Sequence, residues 1–354
     1  MNVLVVGGAG YLGGAVVDLL LQSQHHPRVY DVLLYEESYR KPVDFSFGDV
    51  RDTERFRPEL SWADAVVWVA AVVGDRACDL NREATMAINE KSVAWLANNF
   101  HGRILLTSTC SVYGEQKEAT LTETSALCPL SLYASTKIAA ENHVSKKNAL
   151  VFRLGTLFGV GDAFSRVRLD LVVNTFTVQA FHHGKITIVG GDQFRPLLHV
   201  RDAARAIVDN IASPNTGIFN LHRQNVRIGD LAFQVRNHFP DLIIESIPMP
   251  ARDARDYRVN SDKARSQLGF APTHSIDDGI EDLKNILQAN RLKQIDNPRY
   301  ANDRFLAGVK TFVAGSPVAA TAMDPSRGNG RARQFVPSEL PNPSVDQEEP
   351  VAAA

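Results

Sequence analysis

Short apolar runs alternate with longer stretches of helical periodicity over about the first 160 residues. In the stretch 12–22, the apolar residues Leu12, Val16, Leu19 and Leu20 fall on one face of a helix. Strands that alternate with helices are typical of a parallel sheet covered on both faces. The pattern therefore predicts an α/β fold with a Rossmann-type, doubly wound parallel sheet. Its predicted strands are 2–6, 32–35, 44–47, 65–69, 103–107 and 150–153.

The regular alternation of predicted strands and helices ends after Arg153. A long helix is predicted over 165–182, a short strand over 185–189, and further helices over 201–212 and 229–237. These elements predict a smaller C-terminal α/β part.

The last 44 residues differ in composition from the rest of the chain. They hold six of the 17 prolines, an Arg- and Gly-rich patch, and an acidic and then Ala-rich end. A segment of this kind buries too little apolar area to offset the entropy of ordering its chain. We therefore expect a disordered C-terminal tail from Thr311 to the end, residues 311–354.

Charge and cysteine content exclude several classes of protein. The chain has 354 residues, and its formal net charge is −2. Binding to nucleic acid requires a surplus of positive charge, so nucleic acid is not an expected partner. Cys78, Cys110 and Cys128 are odd in number and form no C-x-x-C pair. This pattern indicates reduced thiols in a cytoplasmic protein without a metal site.

Two further features argue against a membrane location. The N-terminus has neither the basic region nor the cleavage site of a signal peptide. The longest apolar run, 65–73, is nine residues long, whereas a membrane-spanning helix needs ~20. We therefore expect no membrane segment.

A glycine-rich turn follows the first predicted strand. Gly7, Gly10 and Gly13 are spaced G-x-x-G-x-x-G, directly before a predicted helix, and Tyr11 and Leu12 lie between the last two. Glycine permits a tight turn and a close approach of backbone N–H groups to a pyrophosphate. The N-terminus of the helix adds a positive dipole end. The turn therefore predicts a dinucleotide-binding site.

Such a site needs an acidic residue at the end of the second strand to bind the adenosine ribose. Glu36 follows the predicted strand 32–35 and lies 23 residues after Gly13. A carboxylate there would repel a 2′-phosphate, so Glu36 favours NAD over NADP. An ordinary solvated acid is an equally good reading of Glu36 taken alone, and Arg40 lies nearby. Asp49 follows the third predicted strand and is expected beside the adenine.

Tyr133 and Lys137 are four residues apart, which places them on one face of a helix. A tyrosine with a pKa near ~10 is a poor base at neutral pH, but a neighbouring ammonium group stabilises its phenolate. A surface pair is the default reading of this spacing. The context favours catalysis, because Thr109 follows a buried strand whose carboxyl end belongs at the ligand-binding edge of the sheet.

Taken together in order, these motifs resemble those of the extended short-chain dehydrogenases/reductases, of the NAD-dependent epimerase/dehydratase type that acts on nucleotide sugars. The resemblance covers roughly residues 1–290. Besides the glycine turn and the Tyr133/Lys137 pair, it rests on Asp49, Ala70-Ala71, Asn89, Thr109-x-x-Val112-Tyr113-Gly114, Arg195-Pro-Leu-Leu-His199-Val and Ser261-Asp-Lys-Ala-x-x-x-Leu-Gly-Phe270.

The resemblance implies a role for each matching residue. Tyr133 would be the acid/base on a sugar hydroxyl, Lys137 would modulate its pKa, and Thr109 would polarise the same oxygen. The cofactor would contact Gly7, Gly10, Tyr11, Leu12, Gly13, Glu36, Asp49, Val50, Ala70, Ala71, Tyr133 and Lys137. The substrate would contact Asn89, Thr109, Ser111, Arg195 through its diphosphate, and Arg252 or Arg255.

The resemblance also implies an NAD cofactor, a nucleotide-diphosphate-sugar substrate and a homodimer formed through helices near 84–98 and 131–145. In this interpretation, residues 1–164 form the NAD-binding domain, to which a segment at about 190–220 returns. Residues 165–310 form mainly the substrate-binding part.

Three departures from the family pattern bear on the reaction. The dehydratases of the family have Asp-Glu directly after the catalytic Thr, whereas this chain has Cys110-Ser111. The absence of that acid pair disfavours dehydration. Relatives that epimerise two carbons have Cys where this chain has Ser111. Gly155-Thr156 replaces a more usual aromatic-Asn pair of the sugar site. The leading hypothesis is an NAD-dependent epimerase acting at C4. A 4-keto-sugar reductase and a non-catalytic NAD-binding scaffold stay open as alternatives.

Overall fold

A computed structural model describes residues 1–162, 164, 166–248, 255–292 and 294–309, and for residues 117–119 the backbone alone. The predicted tail, residues 311–354, lies outside the described residues. The strands in chain order are β1 Asn2–Val6, β2 His26–Asp31, β3 Asp44–Phe47, β4 Ala65–Trp68, β5 Arg103–Thr109, β6 Glu115–Leu121, β7 Ala149–Leu154, β8 Thr156–Phe158, β9 Lys185–Val189, β10 Phe194–His199, β11 Gly217–Leu221, β12 Gln224–Arg227, β13 Ile243–Ile247 and β14 Asp256–Val259.

Helices connect most of these strands. They are α1 Tyr11–Leu21, α2 Thr53–Trp62, α3 Asp75–Leu80, α4 Arg82–Met86, α5 Ser92–Asn99, α6 Leu132–Val144, α7 Val172–His183, α8 Val200–Asp209, α9 Ile228–His238, α10 Asp262–Leu268, α11 Ile276–Gln288 and α12 Asn302–Ala307. A π-helical stretch, Ala87–Lys91, joins α4 to α5.

The central sheet has seven parallel strands in the order β11-β7-β5-β4-β1-β2-β3. The chain moves outward from β1 to β3 and then crosses to β4 on the other side of β1. This order is the predicted doubly wound topology, which is thereby confirmed. The reversal between β1 and β4 opens a crevice at the carboxyl ends of these strands, where such sheets bind ligands.

Both faces of the sheet are covered. Helices α1 and α8 pack on one face through Val16, Leu20 and Ile207, which are fully buried. On the other face α2 and α5 contribute Phe56 and Leu96, also fully buried. Because both faces are covered, every residue of β4 is buried, which explains why the strand reads as a continuous apolar run.

The C-terminal part has its own core. Strand β10 pairs with β8 and β12, while β9 pairs with β13 in a two-stranded sheet. Helices α7, α9 and α11 pack against them around Phe176, Ile188, Leu231 and Ile280. Strand β11 returns to the edge of the central sheet beside β7. The exact domain boundaries at 164 and 310 stay a prediction.

Most predicted strands are confirmed to within one or two residues, but the strand predicted at 32–35 is wrong. Strand β2 is His26–Asp31. It ends because the Asp31 carboxylate accepts hydrogen bonds from the Leu33 backbone N–H, at 2.8 Å, and from the Ala9 N–H, at 3.0 Å. Leu33 then adopts a φ of +49°, which no strand residue can have. The apolar run at 32–35 instead lines a cavity.

The helix predicted at 165–182 begins later than expected, at Val172. Residues Arg166, Arg168 and Asp170 lie before it and line the wall of the larger cavity described below. The end of the helix agrees with the sequence, because α7 ends at His183 before Gly184 in a left-handed conformation.

Candidate active site

The glycine-rich turn joins β1 to α1 at the crevice. Gly7 has a φ of +89°, and a Cβ on it would lie 2.6 Å from the Ala70 backbone nitrogen. A Cβ on Gly13 would lie 2.1 Å from the Gly7 carbonyl oxygen. Glycine is therefore required at both positions by direct contact. Among the described residues no side chain caps α1, so the backbone N–H groups of its first turn are available to an anion.

A smaller cavity of about 150 Å³ extends from the turn along the ends of β2 and β3. Its lining includes the predicted residues Glu36, Asp49, Val50, Ala70 and Ala71. Of the two acids, Asp49 forms an ion pair with Arg51 at 2.6 Å, and Glu36 forms one with Arg299 at 3.0 Å. The cavity has the shape and position expected for the adenosine half of a dinucleotide.

Asp31 is a further acid of the smaller cavity, which the sequence pattern did not indicate. It ends β2, whereas Glu36 lies five residues further on, in the loop. Asp31 also lines the smaller cavity. Burial raises the pKa of its carboxyl, and hydrogen bonds from backbone N–H groups oppose that shift. Asp31 lies 18 residues after Gly13, which fits the spacing expected of the ribose-binding acid. The apolar run that follows Asp31 led instead to a strand predicted too late in the chain.

A larger cavity of about 510 Å³ begins at the glycine turn and reaches the C-terminal part. It brings together six residues predicted for catalysis or substrate binding. They come from β5 and its exit, α6, β10 and the position just before β14: Thr109, Ser111, Tyr133, Lys137, Arg195 and Arg255.

Tyr133 lies in the first turn of α6, which begins after Ser131. The Ser131 hydroxyl accepts a hydrogen bond from the Ala134 N–H at 3.2 Å and so caps the helix. The Thr109 side chain lies close enough to Tyr133 to oppose the rise in the Tyr133 pKa that burial causes. Thr109 in turn donates to the Ser111 hydroxyl at 3.1 Å. Three hydroxyl groups from two elements therefore converge on one wall of the cavity.

Lys137 lies one turn below Tyr133 and is buried. Its ammonium donates to the Thr107 carbonyl at 2.9 Å. Burial lowers the pKa of Lys137 to about 8, and Glu141, one turn further along α6, partly opposes this shift. Burial raises the pKa of Tyr133 above its usual range. Without a further cation nearby, Tyr133 is therefore protonated at neutral pH.

The lowered pKa of Lys137 predicts a pH-dependent stability of the cofactor-free protein. Between pH 8 and the ordinary lysine value near 10.5, the unfolded state retains a proton that the folded state has lost. The contribution of Lys137 to stability therefore rises with pH in this window, by at most about 1.4 kcal/mol per pH unit. Thermal melts of wild type and Lys137→Met will check this: the stability of wild type relative to the variant should increase from pH 8 to 10. An unchanged difference would contradict the buried, deprotonating amine.

The two arginines at the far side of the cavity are linked to each other. Arg195 lies in β10 rather than in a loop, is 9% exposed, and donates to the backbone carbonyls of Phe194, at 2.9 Å, and of Arg255. Arg255 forms an ion pair with Asp75 at 3.1 Å. Arg252, the other candidate, lies outside the described residues.

Asn89, which was predicted to contact the substrate, is not among the residues that line either cavity. Asn89 is buried in the π-helical stretch, and both of its amide groups are occupied. Its oxygen accepts from the Val72 N–H at 2.8 Å, and its nitrogen donates to the Val72 carbonyl at 2.9 Å and to Thr136 at 3.3 Å. Asn89 therefore fastens the loop after β4 to α6, beneath the catalytic residues.

Several polar residues of the larger cavity gave no periodic or motif signal in the sequence. They are Asp75, Arg166, Arg168, Asp170 and Asn302. Within the described part of the chain, His, Cys, Asp and Glu form no cluster able to hold a metal ion. Among the same residues, no helix has the length and apolar character needed to cross a membrane.

Three features lie along one crevice: the acid at the end of β2, the glycine turn and the Thr109–Tyr133–Lys137 cluster. An enzyme that uses a dinucleotide for a redox reaction is expected to have them in this spatial order. The family model of the NAD dependent epimerase/dehydratase family matches residues 3–221, more than half of the chain. The chain belongs to this family. Membership confirms that the protein is an enzyme and that its cofactor is NAD.

Relatives within the family carry out different reactions. A UDP-glucose 4-epimerase of Corynebacterium glutamicum is 25% identical over 317 residues, which cover 81% of this chain and 94% of that protein. UDP-glucuronic acid decarboxylase 6 of Arabidopsis thaliana is 23% identical over 297 residues, covering 79% of this chain and 87% of that protein.

Solved structures show the same fold. The UDP-glucose 4-epimerase of Thermotoga maritima with UDP-glucose has a TM-score of 0.72 at 22% identity, covering 82% of this chain and 100% of that one. A dTDP-glucose 4,6-dehydratase of Streptomyces venezuelae with NAD bound has a TM-score of 0.72 at 21% identity, covering 82% of this chain and 98% of that one.

Proposed function

We propose that the protein is an NAD-dependent nucleotide-sugar epimerase that inverts a ring hydroxyl, at C4, through a transient ketone. The observation that carries this proposal is the Thr109–Tyr133–Lys137 cluster on the wall of a cavity that continues to the glycine turn. Arg195 and Arg255 at the far side of the same cavity are suited to a diphosphate.

In this proposal the glycine turn would hold NAD, which when bound would supply the acceptor and donor of a hydride for the sugar carbon. Tyr133 takes the proton of the sugar hydroxyl and later gives it back, so that the protein ends each cycle unchanged. Thr109, which lines the same cavity as Tyr133, orients the same hydroxyl. Lys137 stabilises the tyrosinate by its positive charge. A nicotinamide cation beside Tyr133 would add to that stabilisation.

The residue after Thr109 supports epimerisation over dehydration. Cys110 is fully buried, and its Sγ faces the Arg153 carbonyl oxygen at 3.2 Å. Burial raises the pKa of its thiol. Ser111 faces the cavity, but a hydroxyl is a weak acid. No acid therefore occupies the two positions after Thr109 from which a leaving hydroxyl would be protonated.

The proposal is tested by turnover on a panel of UDP-, GDP-, CDP- and dTDP-sugars, after mass spectrometry of the ligands that co-purify with the protein. We expect interconversion of C4 epimers with no net change in absorbance at the NADH wavelength. Net consumption of NAD(P)H with a 4-keto sugar would replace the epimerase with a reductase. Loss of water or carbon dioxide would assign a dehydratase or decarboxylase. NAD binding without turnover on any sugar would support a scaffold.

We also propose that Asp31, rather than Glu36, binds the adenosine ribose hydroxyls and excludes a 2′-phosphate. Asp31→Asn should lower the preference for NAD over NADP by about tenfold or more, because a hydrogen bond to a charged acceptor contributes ~1.5–3 kcal/mol. The matched control is Glu36→Gln, which should leave the ratio of the two dissociation constants unchanged. Calorimetric titration of both nucleotides measures the ratio, and a change confined to Glu36→Gln would reverse the assignment.

A homodimer is the proposed assembly, formed through the face of α4, α5 and α6. Partly exposed apolar side chains on these helices, among them Trp95, Ile138 and Ala139, support this choice. Sedimentation equilibrium tests it, and a monomer at micromolar concentration would refute it.

A further inference from the structure

The chain after α11 crosses the crevice and covers the space between the two cavities. We call residues 298–307 the closing segment; it comprises a short 3₁₀ turn, Pro298–Tyr300, and α12. Leu306 is buried in a cluster with Val72 and Cys78, next to the loop that follows β4. Asn302 donates to the Val73 carbonyl at 2.8 Å, and its backbone N–H donates to Asp170 at 3.0 Å. The segment is therefore fastened to the loop after β4 and to the segment before α7.

The closing segment also reaches the end of β2. The Arg299 side chain forms the ion pair with Glu36 and donates to the Tyr35 carbonyl at 3.3 Å. Phe305 packs against the Tyr35 ring, with 4.8 Å between ring centroids. Tyr35 lines both cavities. The segment thus covers the place where the two halves of a dinucleotide meet.

Arg166 lies at this place and forms no ion pair with a carboxylate among the described residues. It is 4% exposed and lines the larger cavity, as do the residues of the glycine turn. Its guanidinium lies 3.8 Å above the Tyr35 ring. Its hydrogen bonds go to neutral oxygens, the Asn302 side chain at 2.5 Å and the Arg299 carbonyl. Its Nη2 is buried and has no partner among the described residues.

The neighbouring charges leave Arg166 as the surplus cation. Arg168 is held by Asp170 in a bidentate pair, with both distances 2.9 Å. Arg299 is held by Glu36. Burial and these two arginines lower the pKa of Arg166 to about 10, although Tyr35 and Asp170 partly oppose the shift. A buried cation without a carboxylate is costly unless an anion arrives with a ligand.

We propose that Arg166 binds the pyrophosphate of the dinucleotide cofactor. In this proposal the closing segment holds Arg166 in place, so that the cofactor stays bound from one catalytic cycle to the next. The pyrophosphate belongs at the N-terminus of α1, in the cavity that Arg166 also lines. Arg195 and Arg255 lie at the other side of that cavity and serve the substrate diphosphate in the proposed function. The inference rests on NAD binding, which can be measured whether or not the epimerase reaction is found.

The experiment compares Arg166→Met with Arg304→Met, an equal loss of charge at an exposed position of α12. Affinities for NAD, ADP-ribose and adenosine are measured by calorimetry, and the rate of NAD release by stopped-flow displacement. For Arg166→Met we expect at least tenfold weaker binding of NAD and ADP-ribose, unchanged binding of adenosine, and faster NAD release. Arg304→Met should match wild type in all of these.

Thermal melts separate this role from a structural one. Because Arg166 carries an uncompensated charge in the cofactor-free protein, Arg166→Met should melt no lower than wild type without NAD and should lose most of the stabilisation that NAD confers. Asn302→Ala, which keeps the arginine but removes its support, should also release NAD faster. If Arg166→Met weakens adenosine as much as ADP-ribose, or leaves both unchanged, Arg166 does not bind the pyrophosphate. If Asn302→Ala releases NAD at the wild-type rate, the closing segment does not retain it.

Discussion

Tyr133→Phe should lower kcat by about 100- to 10,000-fold while NAD stays bound, which is the range by which a positioned acid/base accelerates proton transfer. The change removes only the hydroxyl oxygen of a side chain that lines the larger cavity together with Thr109. The ring still fills the same wall of the cavity, so the binding of the cofactor should not change. Steady-state turnover on the sugar found by the panel gives kcat, and the absorbance ratio at 260 and 280 nm after gel filtration gives the retained NAD.

A matched control exists elsewhere in the chain. The Tyr39 ring packs against Phe45, and its hydroxyl has no partner among the described residues. Tyr39 lies outside the lining of both cavities. Tyr39→Phe should therefore retain wild-type kcat. Activity that survived in Tyr133→Phe at the level of this control would show that another group transfers the proton.

Arg153→Met should reduce the free energy of unfolding by about 3–5 kcal/mol, the usual cost of removing one member of a buried ion pair. Arg153 and Glu141 are both buried, and the closest nitrogen–oxygen distance is 2.6 Å. Glu141 also accepts from the Ser108 hydroxyl at 2.5 Å, and Arg153 donates to the Tyr113 hydroxyl at 2.9 Å. The variant leaves a carboxylate uncompensated between β5, β7 and α6.

Urea denaturation of the cofactor-free protein measures this loss. Lys185→Met is the control, because Lys185 and Glu245 form an ion pair at 2.8 Å with side chains 45% and 51% exposed. Solvent screens such a pair, so its loss should cost under about 1 kcal/mol. Equal losses in the two variants would mean that the buried pair adds nothing beyond a surface contact.

Local patterns in the sequence predicted much of the fold and part of the site. Strand β4 was visible because a strand buried on both faces is continuously apolar. The glycine turn was visible because steric contact, such as that between a Cβ on Gly13 and the Gly7 oxygen, requires glycine at fixed spacings. Tyr133 and Lys137 were visible because four residues make about one helical turn.

The errors arose where long-range contacts override local preference. The run at 32–35 has the composition of a strand, but Asp31 bonds to the glycine turn and ends β2 before it. The prediction for Asn89 is untested, but the structure shows that its amide bonds to Val72 and Thr136. Nothing in the composition of 298–307 indicates that it crosses the crevice.

The sequence by itself determined the doubly wound sheet, the glycine turn and the placing of Tyr133 and Lys137 on one helix face, because each depends on residues close together in the chain. Only the tertiary structure decided which acid ends β2, which arginines face the cavity, and that Arg166 lacks a carboxylate partner among the described residues. These features depend on groups up to 263 positions apart, as in the Glu36–Arg299 pair. Burial and charge compensation are properties of the packed molecule, and a local sequence pattern carries no record of them.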